Sequence, residues 1–168
     1  MISTEDFLVC GPSANELRPK ILSYRKQEEI MDKWLKIRLD TILPKVMKRA
    51  GIDLWCVACR EYNEDPVLKS LTPCAMMTAR RTTILLFHLK EDGTVSRYAL
   101  TRPGVGLDHL YESVWTNPKG ADWADTKTLM PFDFTDAGKG LTPPETQFEC
   151  LVRMIKQCNP KKIGLNVS

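Results

Sequence analysis

The segment "TTILLFHLKEDGTVSRYALT" constrains the chain most. Residues 82–89 form an apolar run rich in β-branched and aromatic types, which predicts a strand. Glu91, Asp92 and Gly93 then supply a turn with the Asp-Gly signal, and residues 94–101 return as a second strand. The pair predicts an antiparallel hairpin in the middle of the chain. Helical patterns lie on both sides of it in sequence. Across residues 24–50, Met31, Leu35, Leu39, Ile42, Leu43, Val46, Met47 and Ala50 recur at spacings of three and four, the period of one helix face. Pro44 falls inside this pattern and should kink or divide the helix, because it removes a backbone donor. Gly51 stands where a helix-ending glycine is expected.

Residues 52–59 are an apolar run that predicts a buried strand. Asp65 and Pro66 match an N-cap followed by the first helical position, opening a short helix through Leu71. Residues 102–141 are rich in loop signals, with one short element expected at 111–116. Thr142-Pro-Pro-Glu145 predicts a capping box. After it, Phe148, Leu151, Val152 and Ile155 fall at i, i+3, i+4 and i+7, the apolar face of a helix that Asn159-Pro160 ends. Residues 162–167 predict a final strand. Residues 1–23 have weak periodicity and are expected to be an N-terminal arm, leaving 24–168 as one domain. The element order predicts an α/β fold with a mixed sheet flanked by helices.

A chain of 168 residues, 43% hydrophobic and 27% charged, suits one soluble globular domain. The net charge of +3 is too small to argue for nucleic acid or a membrane surface. No basic tract is interleaved with aromatics. No apolar run approaches the roughly 18 residues of a membrane span. Glu5 and Asp6 stand where a signal peptide would be basic, so a cytoplasmic protein is expected.

Six cysteines stand at 10, 56, 59, 74, 150 and 158, scattered in mostly apolar contexts, and buried free thiols are expected. Cys56 and Cys59 form a C-x-x-C pair, but on a strand they face opposite sides and lie about 10 Å apart. Neither a disulfide nor a shared zinc fits that spacing. His88 and His109 have no sequence neighbours that would complete a metal site, and no nucleotide-binding or nucleophile-elbow motif occurs. A ribonuclease-H-type nuclease would need carboxylates on central strands. Asp53 enters the first strand, but the hairpin offers it no partner.

What remains is the polar patch "REYNEDP" after the first strand, where open α/β sheets present binding crevices. Arg60 supplies a planar fork of donors, Tyr62 a flat surface with a hydroxyl, and Asn63 both donor and acceptor. Asp65 is expected to serve the helix that follows. The alternative is an ordinary solvated loop. Trp123, in "GADWAD", is a second candidate contact residue, or else a local lid on the core. These residues hold no complete catalytic set, no metal site and no cofactor site.

The stretch "RLDTILPKVMKRAGIDLWCVACREYNEDP", followed by "ARRTTILLF", resembles the N-terminal domain of the creatinase, prolidase and Xaa-Pro aminopeptidase family. The shared order is a helix carrying R-L-x-x-x-L (Arg38, Leu39, Leu43), then Gly51-Ile52-Asp53, a strand, a polar loop, and Arg80-Arg81 before another strand. "KKIGLNVS" resembles the family's I-G-[LV]-[ND] strand. The likeness covers about residues 25–168. It implies a ribonuclease-H-like mixed sheet and a non-catalytic domain that mediates homo-oligomer contacts and shapes the active-site entrance. The metal-dependent Xaa-Pro peptidase chemistry would then belong to a C-terminal catalytic domain that this sequence does not contain. That domain would hold two divalent ions (Mn, Co or Zn) and act on a peptide substrate. The other expectation is a free-standing binding or regulatory module without a catalytic domain.

Overall fold

A computed structural model describes residues 14–79, 81–101, 106–116 and 145–166. Two short exposed helical turns, α1 (Ala14–Leu17) and a 3₁₀ turn (Arg18–Lys20), lead into α2 (Tyr24–Ile37). A π-helical turn (Arg38–Ile42) then joins α2 to α3 (Leu43–Ala50). The division falls where Pro44 requires it. Pro44 lies in the first turn of α3, where its missing N–H needs no partner. The wide turn has a second effect. Residues four apart on an α-helix drift by about 40° per step, and the extra residue of a π-turn offsets that drift. Leu35, Leu39, Leu43 and Met47 consequently stay in one buried row. Gly51, with φ 63°, ends α3, and the amide of Ile52 donates back to the Met47 carbonyl at 3.1 Å.

The chain continues through β1 (Leu54–Arg60), α4 (Pro66–Leu71), β2 (Thr82–Leu89), β3 (Val95–Leu100), β4 (Glu112–Ser113), α5 (Gln147–Cys158) and β5 (Ile163–Leu165). The sheet order is β4-β3-β2-β1-β5. β2 pairs antiparallel with β1 and with β3, while β5 runs parallel to β1 and β4 parallel to β3. The fold is therefore α/β, a five-stranded mixed sheet with helices on both faces. Alternation along the strands assigns the two cores. Val57, Cys59, Leu85 and Phe87 pack with α2, α3 and α4. Cys56, Ile84, Leu86 and Leu100 pack with Cys150 and Met154 of α5. Cys56 and Cys59 thus face opposite sides of β1. The thiols of Cys56, Cys59, Cys74, Cys150 and Cys158 are all free, while Cys10 lies outside the described residues. No helix among the described residues is long and apolar enough to cross a membrane.

Two expectations are corrected at α5. Its capping box is Thr146 with Glu149, four residues after the expected Thr142 with Glu145, of which Thr142 lies outside the described residues. The Glu149 amide donates to Thr146 Oγ1 at 3.2 Å, and the Thr146 amide donates to Glu149 Oε2 at 2.7 Å. Both tetrapeptides fit the pattern, but Glu145 is committed elsewhere. It is 6% exposed and takes a two-pronged contact from Arg153, Nε to Oε2 at 3.0 Å and an Nη2 donor to Oε1 at 2.6 Å. The face of α5 is also rotated from expectation. Cys150 and Met154 are buried, while Phe148 and Val152 remain 65% and 51% exposed.

Candidate functional site

β1 and β5 are parallel, and both deliver polar residues at their C-terminal ends: Arg60 and the 60–65 loop from one, Asn166 from the other. The loop is held from several directions. The Asn63 amide donates to the Arg60 carbonyl at 2.9 Å, closing a tight turn. The Glu61 amide donates to the Arg81 carbonyl at 2.7 Å, and Glu64 Oε1 accepts the Ala79 amide at 3.2 Å. Asp65 caps α4, with Oδ1 accepting the Val67 amide at 2.8 Å, and Pro66 takes the first helical position, as the sequence predicts.

Asp65 also takes part in a cross-link that joins distant parts of the chain. Asn166 Nδ2 donates to Asp65 Oδ2 at 2.9 Å, and Asn166 Oδ1 accepts the Trp55 indole N–H at 2.7 Å. Both faces of the Asn166 amide are therefore used, which fixes its orientation. The two donors, the Val67 amide first and then Asn166, hold the Asp65 carboxyl below the usual carboxylate range. The close fit of β5 to β1 permits the link. A Cβ on Gly164 would lie 2.8 Å from Ile52 Cδ1, the end of a flexible side chain, and 3.5 Å from Trp55 Cδ1, which shows how closely β5 packs here.

On this frame Arg60, Tyr62 and Asn63 are brought together in one exposed turn. Tyr62 is the unusual member. Its φ is 67°, a left-handed conformation rarely adopted by aromatic residues, and its side chain is 95% exposed. Trp123 lies outside the described residues. The arrangement presents donors, an aromatic face and a carboxamide to solvent from a backbone held by the hydrogen bonds above. Sequence reasoning missed Trp55 and Asn166 as the supports of the loop. The polar residue closing the "IGLN" strand was the available signal, but its partners lie 101 and 111 residues away.

The two histidines lie away from this loop and from each other. His109 Nε2 lies 3.4 Å from Asp32 Oδ2, against α2. His88 lines an open depression of about 730 Å³ at the other end of β1, with Asp53, Lys90 and Lys161. Partial burial, reinforced by Lys90, lowers the His88 pKa. Burial pushes the Cys56 thiol up to about 11 and the Cys150 thiol up to about 12. Neither is a nucleophile near neutral pH. Among the described residues no group of three or more His, Cys, Asp or Glu side chains is placed to hold a metal ion.

No family model, curated protein or solved structure matches the chain.

Proposed function

We propose that the chain is a non-catalytic accessory domain of a metal-dependent Xaa-Pro peptidase-like hydrolase, with a ribonuclease-H-like sheet of the creatinase N-terminal type. In this reading the 60–65 loop forms part of the wall of the active-site entrance. The observation that carries it is the loop itself. Asn63, Glu61, Glu64 and Asp65 anchor the backbone, while Arg60, Tyr62 and Asn63 stay exposed. An anchored turn with free polar and aromatic side chains is suited to contact a substrate or a neighbouring subunit without reordering. The resemblance in element order lends further support. Leu39 and Leu43 of the R-L-x-x-x-L segment are core residues, Gly51 ends the helix, and the closing strand lies beside β1.

The role given to each residue follows from its chemistry. Arg60 presents a fixed fork to a carboxylate, and Tyr62 offers a ring and hydroxyl against an extended peptide. The divalent ions belong to the catalytic domain of the assembled enzyme, and oligomer contacts place the loop at a neighbouring entrance.

The test uses the full-length enzyme that the reading requires. Arg60→Ala and Tyr62→Ala should each lower kcat/KM for an Xaa-Pro peptide by roughly tenfold or more, the scale of a lost charged hydrogen bond, with no fall in melting temperature. Unchanged kinetics in both variants would return the loop to solvated surface. An open reading frame with no metal-binding domain beyond Ser168 would sink the hydrolase reading altogether.

A further inference from the structure

Among the described residues nothing covers the apolar face that the sequence builds on α5. Leu151 packs partly against the core, but Phe148 and Val152 on the same flank are 65% and 51% exposed. The neighbouring strand repeats the pattern. Ile163 and Leu165 stand beside Leu54 and Cys56 of β1, and laterally paired residues share a face of the sheet. Cys56 faces α5, so Ile163 and Leu165 face the α5 layer too. They are nevertheless 40% and 67% exposed. Ala58, two residues beyond Cys56 on the same face, is also exposed. Ile163 and Leu165 thus present apolar side chains on the α5 side of the β5 edge.

The main chain at that edge is open as well. β5 is the last strand of the sheet and pairs only with β1 among the described residues. The carbonyl of Lys162 is turned toward β1, where it accepts the amides of Asp53 and Leu54 at 3.0 and 3.2 Å. Alternation along a strand then directs the N–H and C=O groups of Ile163 and Leu165 outward. Outward main-chain donors and acceptors with apolar side chains on one face match another extended backbone. Charge narrows the match. Lys156, Lys161 and Lys162 are exposed around the start of β5, and none has an ion-pair partner among the described residues. The nearby Asp53 carboxylate is occupied by the main-chain amides of Lys161 and Lys162 at 2.9 and 3.1 Å.

We propose that the open β5 edge is a docking site for an extended acidic segment of a partner polypeptide, which adds to the sheet as a sixth strand. Its alternate apolar side chains lie beside Ile163 and Leu165, and its carboxylates meet Lys161 and Lys162. A second copy paired antiparallel about Gly164 would place Lys162 opposite Asn166 and bring the lysines no carboxylate. A lipid surface offers nothing to the outward main-chain groups. This site is separate from the 60–65 loop and stands whether or not the hydrolase reading does.

The probe is a fluorescein-labelled peptide of alternating valine and threonine flanked by glutamates, titrated by fluorescence polarisation. Saturable binding is expected, roughly tenfold weaker when lysines replace the glutamates, and lost when a central proline interrupts the strand. The Ile163 and Leu165 amides should gain protection from hydrogen exchange on binding. The double variant Lys161→Glu/Lys162→Glu should reverse the charge preference, and Leu165→Ser should weaken binding while the thermal melt stays that of a folded protein. Four results would overturn the proposal: no saturable binding of any peptide, equal binding of the lysine-flanked peptide, protection confined to another edge, or concentration-dependent dimerisation that protects β5 without peptide. Binding to phosphatidylserine vesicles with the β5 amides left unprotected would assign the patch to lipid and overturn it equally.

Discussion

On one face of the sheet, α2, α3 and α4 bring Leu35, Leu39, Leu43, Met47, Leu68 and Leu71 down onto Val57, Leu85 and Phe87, and all nine are buried. On the other face, α5 buries Cys150 and Met154 against Cys56, Ile84 and Leu86 but leaves Phe148 and Val152 in solvent. The strands contribute apolar residues to both sides, so the difference lies in the covering layer. The first face is closed by three helices from the same stretch of chain. Among the described residues the second is covered by α5, whose Phe148 and Val152 stay in solvent. The contrast separates two roles: the closed face holds the fold and positions the 60–65 loop through α4, and the open face offers surface.

Cavity-forming substitutions test the contrast most severely. Phe87 is fully buried and stacks at 5.5 Å from Trp55 and edge-on at 6.0 Å from Tyr111. Phe87→Ala should cost about 3–5 kcal/mol in denaturant unfolding. Met154→Ala, beneath the one-sided cover of α5, should cost about 2–3 kcal/mol, because a helix anchored on one flank can settle into the space. Equal losses would mean that the two faces are equally close-packed and would break the comparison.

On the open face α5 is fastened through Gln147, to the Thr82 and Leu100 carbonyls, and through Arg153, and removing the Arg153 contact is the next largest effect. Arg153 links α5 to Glu145 and to the Val114 carbonyl, the latter at 2.9 Å. Arg153→Met leaves the Glu145 carboxylate buried without its partner and should cost about 1–3 kcal/mol at neutral pH. The acid response gives the sign. The Arg153 hydrogen bond holds the folded-state pKa of Glu145 below the ordinary value of 4.5. The pair therefore contributes stability above pH 4.5, and that contribution is lost as pH falls through the folded pKa. Arg153→Met should flatten this part of the acid-unfolding profile. A profile unchanged by the substitution would show that Glu145 is not a linked group.

Asn166 tests the closed side with a smaller change. Asn166→Ala removes the acceptor of Trp55 and a donor to Asp65. About 1 kcal/mol should be lost, and the loosening should appear as faster exchange of the Val67 amide that Asp65 caps. Unaltered exchange at Val67 would show that the α4 start is held without the cross-link.

These residues also mark where the sequence was legible. The β2–β3 hairpin, the Asp65-Pro66 helix start, the Gly51 stop and the break at Pro44 each depend on residues within a few positions of one another, and local chemistry shows them. The opposite orientations of Cys56 and Cys59 follow from strand alternation alone. The 60–65 loop was visible as a polar run at a strand end. Its supports were not, because the Trp55–Asn166–Asp65 link exists only once β5 has paired with β1. The α5 face failed for a related reason. Phe148, Leu151, Val152 and Ile155 make a good helical stripe, but which stripe is buried depends on where the sheet ends, and β5 is its last described strand. Glu145 was assigned to a cap because its burial partner Arg153 sits eight residues on, inside the helix.

The smallest effect concerns Tyr62 and separates fold from function at one residue. Its ring is 95% exposed, so its removal uncovers nothing, and its φ of 67° costs a non-glycine residue about 1–2 kcal/mol. Glycine takes that conformation freely but loses about 0.5–1 kcal/mol in unfolded-state entropy. Tyr62→Gly should therefore match or exceed the parent by up to about 1 kcal/mol in denaturant unfolding, the balance of those two terms. Tyr62→Ala keeps the strain and should stay within about 0.5 kcal/mol of the parent. That outcome would show that the ring is not kept for folding, which a contact role requires. If Tyr62→Gly destabilises by more than about 1 kcal/mol, the ring is serving the closed face after all and the loop belongs to the scaffold.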